Sequence, residues 1–275
     1  MQVDCHSHIF LRNEKMIAAR RYTPHYDATL SDYLRMLDSM GSTNGVLIQP
    51  SFLGTDNSYL LEGLNRHPQR LRGVVVLDPR IGLSALQALY RQHVMGIRLN
   101  LIGRRIPDLR GAIWKRHLRH LADHGWHVQV HDLAKRLPLI VPHLLNSGVR
   151  VVVDHFGRPD ASLGTRDPGF RYLLGLGKGQ RVFVKLSAAY RLAPGVRGEA
   201  IALEAAGELL RTFGPQRLVW GTDWPHTQFE AVVNTLATRK ALNAWVPDES
   251  QRNLILSSTP RDLYQFHPAV DKKAG

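Results

Sequence analysis

Val3-Asp4-Cys5-His6-Ser7-His8-Ile9-Phe10 is the stretch that decides how the rest of this 275-residue sequence is interpreted. An apolar start followed by His-x-His predicts a β-strand that delivers two imidazoles to one place. Strand alternation puts His6 and His8 on one face together with Asp4, while Cys5 faces the other way. Two imidazoles that converge at a strand end are costly unless a metal ion or a substrate carbonyl uses them. The alternative is a pair of half-exposed histidines without a function.

The pattern of strands and helices along the chain predicts the fold. Helical patterns such as Leu83 to Gln92 and Glu199 to Phe213 separate seven further apolar runs of strand length: Gly45–Gln49, Gly73–Leu77, Met95–Leu99, Trp126–Val130, Val149–Val153, Val182–Leu186 and Arg217–Trp220. Eight strands with helical crossovers predict an α/β protein with a single (β/α)8 TIM-barrel domain over residues 1–275, of which 265–275 form a basic C-terminal tail. A doubly wound open sheet competes, but no Gly-rich phosphate turn follows the first strand.

Composition places the chain among soluble globular proteins, with 44% hydrophobic and 21% charged residues. No apolar run has the length of a membrane span, and the first strand leaves no room for a signal peptide, so we expect a cytoplasmic protein without a membrane partner. The single cysteine, Cys5, has no partner for an internal disulfide, and we expect a packed structural thiol. Nothing in the composition indicates a particular oligomeric state.

The formal net charge of +13 is compatible with nucleic acid, an acidic surface or a small anionic substrate. Lysines and arginines are scattered along the chain, and the common nucleic-acid-binding motifs are absent. We therefore expect a small polyanionic substrate and no nucleic-acid partner. A basic nucleic-acid-binding protein built on a barrel scaffold is the non-enzymatic alternative.

The polar residues that follow the predicted strands indicate an active site. In a TIM barrel the carboxyl ends of the strands converge on one face, where the active site forms. His, Arg or Asp residues belong to six of these ends, and Ser51 follows the second strand. The candidates are His6, His8, Arg98, Arg104, His131, His155, Arg191 and Asp223. Each alone has an ordinary structural explanation, but their convergence predicts a catalytic centre.

These residues also carry a resemblance to a known family. His6-Ser-His8, His131, His155 and Asp223 resemble the signature of the amidohydrolase superfamily. Four longer strings resemble, within it, the 2-pyrone-4,6-dicarboxylate hydrolases, which are lactonases: Gln49-Pro-Ser-Phe-Leu-Gly-Thr-Asp-Asn57, Gly96-Ile-Arg-Leu-Asn100, Val153-Asp-His-Phe-Gly-Arg-Pro-Asp160 and Trp220-Gly-Thr-Asp-Trp-Pro-His226. The similarity extends from about Val3 to Tyr264.

The resemblance implies hydrolysis of a carboxylated lactone in aromatic-compound degradation, opening 2-pyrone-4,6-dicarboxylate to an oxalomesaconate-type product. It implies that Asp223 is the base that activates water and that the carbonyl is polarised by His6, His8 and His155. Substrate binding would fall to Arg98, Arg104, Arg191, Ser51, Tyr22 and His131. This division is physically reasonable, because a planar guanidinium binds a carboxylate bidentately and donors at the carbonyl stabilise its developing charge.

Metal use is the open alternative that the resemblance raises. The pyrone hydrolases are expected to work without a metal, whereas related lactonases and decarboxylases use zinc. His131 stands where we expect a tyrosine, so one divalent metal such as zinc could be bound by His6, His8, His131 and Asp223. Three nearby arginines would repel such a cation, and we therefore favour catalysis without a cofactor. The remaining enzymatic alternatives are a lactonase for a sugar acid or a sulfomuconolactone, and a zinc-dependent decarboxylase of the same superfamily.

Overall fold

A computed structural model, which describes residues 1–266, confirms the predicted (β/α)8 barrel. Eight parallel strands pair in sequence order. They are β1 Val3–Ser7, β2 Asn44–Ile48, β3 Leu71–Val75, β4 Val94–Asn100, β5 His127–His131, β6 Arg150–Val153, β7 Val182–Leu186 and β8 Leu218–Trp220. Each predicted apolar run overlaps one of these strands, with ends shifted by a few residues.

The helices that cross between the strands cover the outside of the barrel. They are α1 Leu30–Ser39, α2 Ser58–Arg66, α3 Leu83–Arg91, α4 Ala112–Asp123, α5 Val141–Asn146, α6 Pro168–Gly175, α7 Gly195–Phe213, α8 Thr235–Trp245, α9 Glu249–Asn253 and α10 Thr259–Leu263. Single turns of 3-10 helix lie in several loops, including His155–Gly157 and Ala189–Arg191 above the barrel. Helix α7 begins earlier than the sequence predicted, because its amphipathic pattern starts only beyond the exposed first turn.

The barrel closes through residues that belong to the site. Beyond the end of β8, the amide of Asp223 donates to the carbonyl of His6 at 2.8 Å, and the amide of His8 donates to the carbonyl of Trp224 at 2.8 Å. The carboxylate of Asp4 reinforces this seam by accepting hydrogen bonds from the amide and the hydroxyl of Thr222, each at 2.8 Å. The seam therefore fixes the backbone of β1 directly beside that of Asp223.

The predicted alternation along β1 is wrong at Asp4. The pairing of β1 with β2 shifts register between Asp4 and Ser7. Asp4 accepts a hydrogen bond from Tyr33 of α1 at 3.3 Å, whereas His6 contacts Lys185 inside the barrel. An irregular strand breaks the two-residue period, so Asp4 does not share a face with the histidines, and Cys5, which we expected to face away from them, lies inside the barrel as His6 does.

The interior of the barrel is apolar below and polar above. The lower part packs Val3 and Cys5 against inward-facing strand residues, and Tyr264 and Phe266 close that end. Cys5 is buried and free, as expected of a structural thiol. Phe266 is 5% exposed, so the fold still includes residues that we predicted to start the tail, while 267–275 lie outside the described residues. Among residues 1–266, no helix combines the length and apolar character needed to cross a membrane.

Candidate active site

A cavity of about 200 Å³ lies at the carboxyl ends of the strands. Residues at the ends of seven strands, or in the loops that follow them, line it; β3 contributes none. They are His8, Arg21, Tyr22, Pro50, Ser51, Phe52, Arg98, Asn100, Ile102, His131, His155, Arg158, Arg191, Asp223, Thr227, Gln228 and Phe229. Eight of the ten site residues that the sequence predicted are in this set. The volume suits a small ring carrying a few polar substituents.

Two predicted site residues do not line the cavity. His6 is fully buried beneath it, with Nε2 lying 3.5 Å from Oδ1 of Asp223. Arg104 lies further out, where its guanidinium donates to the carbonyl of Ala19 at 2.9 Å. The loop after β4 turns Arg104 away, so its predicted contact with substrate finds no support in this geometry. Tyr22 lines the cavity, but its hydroxyl donates to Glu230 at 2.9 Å.

The carboxylate of Asp223 has one oxygen that is held and one that is available. Oδ2 accepts hydrogen bonds from Nε of Arg191 at 2.5 Å and from the hydroxyl of Tyr190 at 2.7 Å. Oδ1 is buried and makes no hydrogen bond, although Nε2 of His6 and Nε2 of His8 lie 3.5 and 3.6 Å away. This arrangement fixes the plane of the carboxylate and leaves Oδ1 facing the two imidazoles.

The surroundings of Asp223 keep it ionised. Burial alone would raise its pKa, but the positive charge of the Arg191 guanidinium holds that pKa well below its ordinary value. Its backbone has a φ of 62°, an uncommon conformation for a residue with a side chain. The hydrogen bond from its amide to His6 at the seam stabilises this conformation.

His8 offers an acceptor to the cavity. Its Nδ1 lies 2.7 Å from the carbonyl of Ile48, and since a carbonyl only accepts, Nδ1 carries the proton. Burial lowers the pKa of His8, so the ring is neutral and Nε2 presents a lone pair towards Asp223. The donor role that the resemblance implied for His8 therefore needs revision, because its available nitrogen accepts.

His155 is held above β6 in a form that can donate. Its Nδ1 lies 2.8 Å from the hydroxyl of Ser187, which can donate to that nitrogen and leave the proton on Nε2. Burial lowers the pKa of His155 to about 3, so the ring is neutral. His155, Phe156 and Arg158 all have positive φ values, and this local turn brings both His155 and Arg158 to the cavity wall.

Beneath the cavity, four buried polar side chains form a network inside the barrel. Nζ of Lys185 donates to the carbonyl of Cys5 and to Oε1 of Gln129, each at 2.8 Å, and lies 3.3 Å from Nδ1 of His6. Oδ2 of Asp154 accepts from Nε2 of Gln129 at 3.0 Å. Burial lowers the pKa of Lys185 to about 8, which leaves it charged at pH 7.

The cavity wall is strongly cationic. Four arginines line it, against a single carboxylate, that of Asp223. Arg191 is paired with Asp223, and Arg98 with Asp154 at 3.4 Å. The other two, Arg21 and Arg158, contact neutral groups instead: Nη2 of Arg21 donates to Asn100 at 3.2 Å, and Nη1 of Arg158 lies 3.4 Å from His131.

The positions of Arg21 and Arg158 leave room for an anion. Burial lowers the pKa of Arg158 to about 10, and repulsion from Arg191 and Arg21 acts in the same direction. A partly buried guanidinium without a carboxylate partner is costly unless a ligand supplies the missing charge. The cavity therefore suits a small molecule with at least one carboxylate or similar group.

His131 lies between two of these guanidinium groups. Its Nδ1 is 3.4 Å from Nη2 of Arg98, and its Nε2 is 3.4 Å from Nη1 of Arg158. Burial and the neighbouring positive charges hold the pKa of His131 well below its ordinary value. Each ring nitrogen therefore faces a cation, which is an unfavourable position for a metal ligand.

Residues 1–266 contain two groups whose ligand atoms lie close enough to share a metal ion: His6, Asp154 and His155, and His6, His8 and Asp223. His131, which we included in the possible metal set, belongs to neither. In the second group, Oδ1 of Asp223 and Nε2 of His8 are suitable ligand atoms. Nε2 of His6 is suitable only if the proton sits on Nδ1, which faces the ammonium of Lys185. With Nδ1 of His6 unprotonated and the proton on Nε2, this group does not fit a metal ion.

Comparison with known proteins agrees with this architecture, since residues 3–266 match the amidohydrolase family. The chain belongs to that family. A 2-pyrone-4,6-dicarboxylate hydrolase from Comamonas testosteroni is 30% identical over 82% of this chain and 76% of the relative. A 4-sulfomuconolactone hydrolase from Hydrogenophaga intermedia is 27% identical over 95% of this chain and 88% of the relative.

Solved structures that are similar in both fold and sequence include one with a bound ligand. It is a probable 2-pyrone-4,6-dicarboxylic acid hydrolase from Acinetobacter baumannii with citric acid bound, which is 35% identical, has a TM-score of 0.92 and covers 96% of this chain and 99% of the other. The family match and these names support the predicted assignment as a hydrolase of cyclic esters.

Several residues of the site were not identified from the sequence. Lys185 could have been identified, because it is a charged residue within the apolar run Val182–Leu186. On either face of a barrel strand its side chain would be buried, either in the barrel interior or under the helices. Arg158 lies within one of the strings that carried the resemblance but received no role. Arg21 and Tyr190 come from loops, where no periodic pattern shows which side chain turns inward.

Proposed function

We propose that this protein hydrolyses a carboxylated lactone, with 2-pyrone-4,6-dicarboxylate as the favoured substrate and an open-chain oxalomesaconate-type molecule as the product. The observation that carries the proposal is the cavity wall, where four arginines surround one carboxylate whose Oδ1 lacks a partner. Arginines select an anionic substrate, and the carboxylate supplies a base.

The substrate carboxylates are proposed to bind Arg158 and Arg21, with Arg98 in a lesser role. Arg158 and Arg21 have no charged partner in the cavity wall, so a substrate carboxylate completes their interactions. Arg98 already donates to the carbonyl of Gln49 at 3.2 Å and pairs with Asp154, which leaves it a smaller share in binding. Arg191 serves the base rather than the substrate, because its Nε is bound to Asp223.

The attacking water is proposed to lie between Asp223 and His8. Oδ1 of Asp223 and Nε2 of His8 are both acceptors and are 3.6 Å apart, so a water molecule that donates a hydrogen to each relieves their repulsion. Proton transfer to Asp223 generates the nucleophile as its oxygen bonds to the lactone carbonyl carbon. The ring C–O bond then breaks, and the proton passes from Asp223 to the departing ring oxygen.

The lactone carbonyl is proposed to face Nε2 of His155. With Ser187 donating to Nδ1, the ring of His155 directs a hydrogen at the carbonyl oxygen. A donor placed at the position of a developing oxyanion typically lowers the barrier by about 3 kcal/mol. The four arginines add a positive field around the same carbonyl, and they oppose binding of a divalent cation, so no step of this mechanism uses a metal.

Purified protein incubated with 2-pyrone-4,6-dicarboxylate is expected to consume it, which is followed as the loss of ring absorbance. The matched control is Asp223→Asn, which keeps the shape of the side chain but cannot take a proton. Loss of absorbance with wild type alone supports the proposal. Absence of hydrolysis by wild type, together with turnover of a sugar-acid lactone, would assign a different substrate.

A second candidate substrate is 4-sulfomuconolactone. The relative with that activity matches 95% of this chain, and a sulfonate offers Arg158 and Arg21 the same kind of anionic oxygens as a carboxylate. Measuring kcat/KM for both lactones on the same preparation separates the two candidates, and the larger value identifies the substrate that the cavity fits.

A further inference from the structure

We propose that Lys185 is a positioning residue that keeps the proton of His6 on Nε2, so that His6 donates towards Asp223 and cannot bind a metal. Lys185 touches neither the cavity nor Asp223, and it acts through His6 alone. The inference rests on the proposed function only in taking Asp223 as the base.

The ammonium group of Lys185 has as many hydrogens as there are acceptor atoms around it. An ammonium group has three hydrogens and no lone pair. The carbonyl of Cys5 and Oε1 of Gln129 take two of them at 2.8 Å, and Nδ1 of His6, at 3.3 Å, lies in reach of the third. Nδ1 has to be unprotonated to accept it. The proton of the neutral ring then sits on Nε2.

Asp154 competes with Lys185 for Nδ1 of His6. Its Oδ1 lies 3.3 Å from Nδ1 of His6, but it makes no hydrogen bond. The carboxylate is instead engaged at Oδ2 by Gln129 and Arg98. Its Oδ1 lies 3.7 Å from Nζ of Lys185, so it balances the charge of the lysine without accepting from His6.

A proton on Nε2 of His6 lies on the side of the imidazole ring that faces Asp223. Nε2 of His6 is buried without a partner, 3.5 Å from Oδ1 of Asp223, which also lacks one. A hydrogen on Nε2 therefore faces the available oxygen of the base and restrains it below the cavity. The same hydrogen occupies the lone pair that a metal would need, which leaves the group formed with His8 one ligand short.

The direct test is the protonation pattern of His6 in the substrate-free wild-type protein. Long-range ¹H–¹⁵N correlation spectra of ¹⁵N-histidine-labelled protein distinguish the two neutral forms, and His6→Gln identifies the signal among the 14 histidines. We expect the proton on Nε2. A proton on Nδ1 would overturn the proposal, since it means that His6 donates to Asp154 and that Lys185 only balances charge.

Removal of Lys185 provides a second test, in which the proton of His6 is expected on the other ring nitrogen. In Lys185→Met, Nδ1 of His6 loses its donor, Asp154 becomes its nearest partner, and the proton is expected to move to Nδ1. The variant is then expected to bind zinc about tenfold or more tightly than wild type, in line with the effect of a group that orients a ligand. His6→Gln in the same background is expected to abolish this gain.

Exposed Lys178→Met is the matched control and is expected to behave as wild type. Lys185→Met with the proton still on Nε2, or with no gain in zinc affinity that depends on His6, contradicts the proposal. If Lys185→Met does not fold, the wild-type spectrum decides alone. Because neither measurement uses a lactone, failure of the proposed substrate and failure of the proposed role of Lys185 are recorded in separate experiments.

Discussion

Nε of Arg191 donates to Oδ2 of Asp223 at 2.5 Å, while the other oxygen of this carboxylate has no hydrogen-bond partner among the described residues. In the proposed mechanism the two oxygens have separate tasks, since Oδ2 anchors the side chain and Oδ1 takes the proton. Arg191, for which the resemblance implied a role in substrate binding, lines the cavity and also contacts the proposed base.

Tyr190 provides the second anchor, and we predict that Tyr190→Phe lowers kcat with little change in KM. The hydroxyl donates to Oδ2 at 2.7 Å, and a hydrogen bond to a charged group typically contributes about 1.5–3 kcal/mol, which corresponds to a loss of roughly tenfold or more. Steady-state kinetics measure the effect. Tyr172→Phe on α6, outside the cavity, is the control, and equal kcat values for the two variants would contradict the anchoring role.

The arginines without charged partners give a prediction about specificity. Arg158→Met is expected to raise KM for a dicarboxylate lactone by about 30-fold or more, because truncating one partner of a buried ionic contact commonly costs at least about 2 kcal/mol. Arg21→Met is expected to raise KM by less, since Arg21 is exposed and solvent screens its charge. KM for an uncharged lactone is expected to change little, since it has no carboxylate to lose.

Arg104→Met is the matched control for these two substitutions. Its guanidinium binds the carbonyl of Ala19 outside the cavity, so we expect a change in KM within about twofold. An effect of Arg104→Met as large as that of Arg158→Met would restore Arg104 to the substrate site. Equal losses for charged and uncharged lactones would show that Arg158 and Arg21 have a structural role.

Because several histidines are buried, we predict that the free energy of unfolding decreases in mild acid. Burial lowers the pKa of His155 to about 3 and the pKa of His226 to about 4, below the ordinary value of 6.5. Between those values and 6.5 the unfolded chain binds protons that the folded chain does not, so stability decreases as pH falls through this range. Asp4, whose pKa burial raises to about 6, offsets part of this change.

Thermal unfolding measured at pH 7 and pH 5 tests this prediction, with a lower Tm expected at pH 5. Asp223 and Asp154 add to the loss only below about pH 4, because their lowered pKa values matter below that of an unfolded carboxyl group. A Tm that rises from pH 7 to pH 5 would contradict this prediction, because it would mean that the histidines gain protons in the folded protein or that Asp4 outweighs them.

Much of the site followed from the sequence because barrel geometry brings the strand ends together. His8, His155 and Asp223 each lie within three residues of the end of a strand, and any eight-stranded barrel places such residues around one opening. The number of strands and the periodicity of hydrophobic residues were therefore enough to predict that these residues lie close together.

The residues that sequence analysis missed or misplaced depend on details that periodicity does not contain. Asp4 left the expected face because β1 shifts register against β2. Arg104 and Arg21 belong to loops, where the path of the backbone decides which arginine reaches the cavity. Lys185 was overlooked because its long side chain crosses the interior from β7 to β1, a contact between residues 179 positions apart.

Values of kcat for 2-pyrone-4,6-dicarboxylate in wild type and Asp223→Asn decide whether the proposed metal-free mechanism with Asp223 as the base is correct. Both proteins are dialysed against a chelator, and their metal content is measured by elemental analysis. We predict full activity in metal-free wild type and a loss of about 100-fold to 10,000-fold in the variant, the range typical of a missing general base. Unchanged turnover in Asp223→Asn, or wild-type activity that disappears on chelation and returns with zinc, would contradict it.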